Sequence, residues 1–140
     1  MKNSLKTLER IQKFNIDEQR KILTARLEDE ERLLHELDRL NKDFAREKVF
    51  SAAHPGVGDF GAFTKQYIKK RELLEEDLRR VRRQISEIRD IIAEMFKEQK
   101  TYEIVDDNRQ KRRRRENELK DQKMLDEIGT NAYIKRKKSS

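Results

Sequence analysis

His35 and His54 are the side chains best suited to moving a proton near neutral pH, yet each stands alone. His35 lies in the charged run LLHELD, and His54 lies in SAAHPGVGD beside the chain's single proline. Neither has a nucleophile or an orienting acid at a spacing that suggests a catalytic set. Carboxylates are plentiful but alternate with bases, as in Glu75-Glu76-Asp77 followed by Arg79-Arg80. Pairs of that kind decorate a solvated helix face and stabilise it by a few tenths of a kcal/mol each. The chain has no cysteine, so thiol catalysis, disulfides and cysteine metal sites are excluded. It has no glycine-rich phosphate loop and no metal-ligand spacing. The expectation is a protein without catalytic residues, metal or cofactor, and not an enzyme.

The other chemistry available is charge and aromatic contact. The formal net charge of +7 is concentrated at one end: residues 108–140 carry 12 basic and 5 acidic side chains. Within that stretch, Arg109 to Arg115 reads RQKRRRR. Such a run is either a solvated helical extension or an electrostatic hook for an acidic protein, anionic lipid or nucleic acid. Interleaved aromatics and a base-reading module are missing, which disfavours specific nucleic-acid binding. The aromatics gather elsewhere, as Phe44, Phe50, Phe60, Phe63 and Tyr67 around the one chain break. Phe44 and Tyr67 are expected to plug that end of the fold. Phe50, Phe60 and Phe63 flank a short loop too closely for all of them to point inward. An exposed aromatic tip suits partner docking.

These residues must be positioned by helices. Only 34% of the 140 residues are hydrophobic and 45% are charged, too few apolar groups for a broad core but enough for a narrow seam. The break at residues 51–59 holds the only proline, Pro55, and two of four glycines, Gly56 and Gly58. On both sides lie charged helix formers. The fold class expected is all-α, an antiparallel coiled-coil hairpin over residues 1–128. Its first arm covers about 3–50, its turn 51–59 and its second arm about 60–128, and residues 129–140 form a flexible basic tail. Asp59 is the expected N-cap of the second helix and Gly129 its C-terminal stop. At about 1.5 Å per residue the first arm spans on the order of 70 Å, and the second overhangs it by about 30 Å.

The seam is legible as a repeat. Steps of four and three from Tyr67 reach Arg71, Leu74, Leu78, Val81, Ile85, Ile88, Ile92, Met95, Gln99 and Tyr102. A mean spacing of 3.5 keeps one stripe facing a partner helix. In the first arm Ile16, Leu23, Leu33, Leu37, Leu40 and Phe44 share a frame with Gln12, Gln19, Arg26 and Glu30, a looser repeat that suggests a bend or frame shift near residues 23–34. Leu27 and Leu34 lie beside that frame and are expected to broaden it. Centring the turn on Pro55 and Gly56 pairs Phe44 with Tyr67, Leu37 with Leu74, Leu33 with Leu78 and Gln12 with Gln99. No segment has the apolar length of a spanning helix, and MKNSLKTLERIQKF lacks a signal-peptide core, so a cytoplasmic protein is expected.

Several segments resemble the FliJ-type soluble component of the flagellar type III export apparatus. QKMLDEIG (Gln122 to Gly129), set after the basic run, is similar to that family's recurrent "LDEIA" stretch. FKEQKTYE (Phe96 to Glu103), leading into DNRQKRRRR, resembles its second-helix pattern, and SLKTLERIQKF resembles its opening. The resemblance implies a stalk-like coiled coil in bacterial flagellum biogenesis and motility. It implies binding and promotion of the hexameric export ATPase, contact with the cytoplasmic domain of the export-gate membrane protein, and help in recycling export chaperones. The protein would then lie at the inner face of the cell membrane through its partners. By analogy with the stalk of rotary ATPases, the end carrying both termini would enter the ring. That would place Lys6, Arg10, Lys13, Arg109, Arg112, Arg113, Arg114 and Arg115 nearest the ATPase, and Phe60, Phe63 and Tyr67 nearest the gate. The competing reading is a basic coiled-coil adaptor that holds nucleic acid or an acidic scaffold through its C-terminal segment.

Overall fold

The computed structural model describes residues 2–139. It is an all-α hairpin of two helices, α1 (Lys2–Ala53) and α2 (Phe60–Ser139), with no strand among the described residues. By mutual contact the chain falls into two units: Ile11–Phe96, and the segments up to Arg10 and from Lys97 onward.

The unit Ile11–Phe96 holds the turn and the antiparallel seam. Helix α1 runs three residues past the expected arm, to Ala53, because nothing interrupts it before the proline. Pro55 has no N–H to donate and so cannot carry the helix on. His54 closes the last turn, its N–H donating to the Phe50 carbonyl at 3.0 Å. Reversal then needs left-handed backbone, supplied by Gly56 at φ 86° and Gly58 at φ 73°. Asp59 starts α2 as an N-cap: its Oδ1 accepts the Ala62 N–H at 3.1 Å, and its carbonyl accepts the Phe63 N–H at 3.1 Å.

Along the seam the 3.5-residue frame is obeyed on both arms, with no shift at residues 23–34, where Arg26 and Glu30 keep their half-buried places between Leu23 and Leu33. Every frame position from Tyr67 to Met95 is buried or half-buried, and so is every one from Gln12 to Phe44. Leu33, Leu78, Val81 and Ile85 form the buried centre, with Leu23, Leu37 and Leu74 packed against it. Ile16 and Ile88 are buried as well. Leu27 and Leu34 do not broaden the stripe; both are exposed, because two helices in contact bury only their facing positions.

Charged and polar side chains in the frame are accommodated individually. Arg71 lays its stem along the seam while its guanidinium sits 5.3 Å from the Tyr67 ring centre and 3.7 Å from Glu75 Oε1. Gln12 is the buried polar residue, and its Nε2 donates to the Met95 carbonyl at 3.0 Å, one turn from the expected partner Gln99. Across the seam, Arg82 Nε lies 3.2 Å from Glu30 Oε2. Most other ion pairs join residues three or four apart on one helix, as Lys42 to Asp38 at 2.8 Å.

In the other unit Leu5 is buried, and Glu9, Gln99, Tyr102 and Asp106 are half-buried. From Asp107 to Lys138 every residue is exposed. Gly129 does not stop α2, which continues to Ser139. The expected stop needs a glycine in left-handed backbone, and Gly129 lacks positive φ. A helical glycine costs about 1 kcal/mol relative to alanine. Arg136, Lys137 and Lys138 in the last turn offset part of that by facing the negative end of the helix dipole.

Candidate functional site

Neither histidine is built into a catalytic set. His35 is exposed, and His54 spends its Nδ1 on the Phe50 carbonyl at 3.1 Å while its ring stacks on Phe50 at 4.3 Å. Among the described residues, no group of three or more His, Asp or Glu side chains is arranged to hold a metal ion. What the fold presents is surface, in three places.

The first is the aromatic end. Phe44 is its hub, with ring centres of Tyr67, Phe60 and Phe63 at 4.1, 5.7 and 6.3 Å. Phe60 and Phe63 are 6.5 Å apart. The Asp59 cap sets the first turn of α2, and that places Phe60, Phe63 and Tyr67 on the side facing α1 at spacings of three and four. All three are half-buried, each leaving part of the ring in solvent, whereas Phe50 is exposed and stacks on His54. Tyr67 also donates its hydroxyl to Asn41 Oδ1 at 2.6 Å. Contact with Tyr67 pushes the Arg71 pKa further up, so that guanidinium keeps its charge.

The second is the groove beside the seam lined by Glu36, Arg39, Leu40, Asp43, Lys70, Leu73 and Leu74. Leu40 and Leu74 are its half-buried apolar lining, and Leu73, 63% exposed, adds an apolar side chain open to solvent. Sequence reasoning passed over Leu73 because it lies one place off the repeat. Next to this groove the bond from Lys42 holds the Asp38 carboxyl below the usual carboxylate range.

The third is the exposed stretch of α2. Arg109 and Arg112 to Arg115 are all exposed there, and Lys111 pairs with Asp107 at 3.5 Å. Successive residues turn by about 100°, so four consecutive arginines form a collar around the helix rather than a stripe. Lys6 and Arg10 on α1 are also exposed, as is Lys13 within the hairpin unit. Leu119, Met124, Leu125, Ile128, Tyr133 and Ile134 are exposed on the same stretch, between 45 and 68%. The expected overhang of α2 accounts for their exposure, but these apolar side chains were not singled out as a surface; Met124, Leu125 and Ile128 lie in the family-like QKMLDEIG segment.

The family model described as flagellar FliJ protein matches residues 1–138. The chain belongs to the FliJ family. It is therefore a component of flagellar protein export, from a family whose members are non-catalytic. No curated protein and no solved structure matches it. No helix among the described residues is long and apolar enough to cross a membrane. For a FliJ-family chain the three surfaces are candidate partner contacts.

Proposed function

We propose that this FliJ-family chain is a non-enzymatic, stalk-like subunit that binds the hexameric flagellar export ATPase and promotes its assembly and activity. Lys6, Arg10, Lys13, Arg109, Arg112, Arg113, Arg114 and Arg115 steer it toward the ring. Phe60, Phe63 and Tyr67 contact the cytoplasmic domain of the export gate, and the same chain assists recycling of export chaperones. It sits at the inner face of the membrane only through these partners.

The observation that carries the reading is the exposed stretch of α2 from Asp107 to Lys138, with its arginine collar. A helix of that length without tertiary cover leaves all its sides available to a ring that surrounds it. A collar attracts acidic walls from every direction, which a one-sided stripe does not. The half-buried rings at the turn support the gate contact, since aromatic anchors with one free face are frequent in binding hot spots.

The test replaces Arg112 to Arg115 with Ser and measures ATP hydrolysis by the purified export ATPase against added chain. Weaker association and lost stimulation at unchanged helicity are expected. Normal binding and activation by the variant overturn the reading of the collar. For the gate, Phe63→Ala is compared with Phe63→Leu for binding to the gate's cytoplasmic domain. Loss in the first and retention in the second is the expected pattern, and normal binding by both removes the tip from that role.

A further inference from the structure

We infer that the arginine collar speeds the arrival of α2 at an acidic surface of the ATPase without holding it there. Arg109 and Arg112 to Arg115 set how fast the complex forms, and other contacts set how long it lasts. The inference rests on the ATPase reading above and divides that encounter into two parts.

The side chains of the collar are not built to grip. From Asp106 to Glu118 the sequence DDNRQKRRRRENE contains no apolar residue, and from Asp107 onward all of it is exposed. The part of an interface that resists dissociation is a desolvated centre with packed anchors. An arginine becomes such an anchor when neighbours fix its planar fork. Arg20 and Arg71 are braced in that way, by the rings of Phe96 and Tyr67. Arg109 and Arg112 to Arg115 have neither a ring nor an ion-pair partner among the described residues.

Attraction at a distance needs only net charge, and the chain puts nearly all of it here. Residues 1–106 carry 23 basic and 22 acidic side chains, whereas Asp107 to Lys138 carries 12 and 6. Half of those 12 bases lie between Arg109 and Arg115, a run without an acid. Before it, Asp106 accepts from Gln110 and Asp107 pairs with Lys111; Glu116 and Glu118 follow. These acids trim the positive field of the stretch without cancelling it. An acidic partner therefore pulls on this part of α2 and finds the remainder near neutral. At about 100° per residue, Arg112 to Arg115 point to four quarters, so the pull does not depend on how the helix is turned.

Exposed charges of this kind change the association rate and its salt dependence, whereas buried charge pairs change the dissociation rate. The reach of the field falls from about 30 Å at 0.01 M salt to about 3 Å at 1 M, so the acceleration must fade between them.

The experiment measures kon and koff by stopped flow for the purified export ATPase of the same flagellar system, at low and high salt. It compares the full chain with two variants, and circular dichroism controls for helix content. Arg112 to Arg115 replaced by Ser should lower kon at least ~10-fold at low salt and little at high salt. Its koff should stay within about 2-fold throughout. The same four replaced by Lys should keep both rates, because charge suffices where fork geometry is not read. If the Ser variant raises koff as much as it lowers kon, the collar grips; this inference then falls and the ATPase reading stands. Loss of binding in the Lys variant overturns it too, since the partner would be reading guanidinium geometry. Unchanged rates in the Ser variant at low salt remove the collar from the contact altogether. If the unaltered chain does not bind the ATPase, both readings fall.

Discussion

The Phe44 ring lies over the Tyr67 ring with centres 4.1 Å apart and planes 10° from parallel, the tightest ring contact between the two arms. Phe60 and Phe63 stack on the same ring. Phe44→Ala should therefore cost about 2 kcal/mol in chemical denaturation, less than the 3–5 of a fully buried phenylalanine because the ring is half-buried. Tyr67→Phe should cost under about 1 kcal/mol, since its bond to Asn41 is exposed. A Phe44→Ala loss no larger than that of Tyr67→Phe would show that the ring is not the hub.

Leu33 and Leu34 are neighbours in sequence with opposite fates. Leu33 is 4% exposed in the centre of the seam, and Leu34 is 42% exposed. Leu33→Ala should destabilise by about 3 kcal/mol and Leu34→Ala by no more than about 0.5. Urea unfolding of the two variants side by side checks the frame directly, and comparable losses would place the seam elsewhere.

This pair also shows what the sequence could reveal and what it could not. The frame from Gln12 to Phe44 and from Tyr67 to Met95 was readable because a seam imposes a repeat, and the repeat is indifferent to which side chain fills it. Arg71 and Gln12 thus kept their places although neither is apolar. Leu27 and Leu34 misled because a leucine beside a stripe looks like part of it, and width is set by the partner's reach. Gly129 misled in the same way: glycine permits a helix end without compelling one. The apolar residues from Met124 onward and the groove beside Leu73 lie off the seam repeat, so the pattern that marks the seam does not pick them out.

The turn offers a prediction on conformation alone. Asp59→Ala removes the acceptor for the Ala62 N–H and should cost about 1 kcal/mol, while Asp59→Ser should restore most of it. Gly56→Ala meets no atom within 4 Å but must hold φ near 86°, so a loss of about 1 kcal/mol is expected from backbone strain alone. Thermal melts of the three variants read this out. An unchanged Gly56→Ala would mean that the left-handed turn is not required.

Gln12 carries a prediction of opposite sign. A buried polar side chain in a coiled-coil seam lowers stability in exchange for a defined alignment. Gln12→Leu should raise stability by about 1 kcal/mol, and Gln12→Ala should lower it by a similar amount through the space it leaves. Denaturation midpoints distinguish the two, and destabilisation by leucine would mean that the bond to Met95 outweighs the burial it displaces.

The bare span of α2 from Asp107 to Lys138 has a thermodynamic consequence. Held by local forces alone, such a helix unwinds gradually on warming, whereas the leucine-lined centre should give way in one sharp step. Ellipticity should therefore slope downward well before the main transition. A single melting temperature would describe only the interlocked half of the molecule.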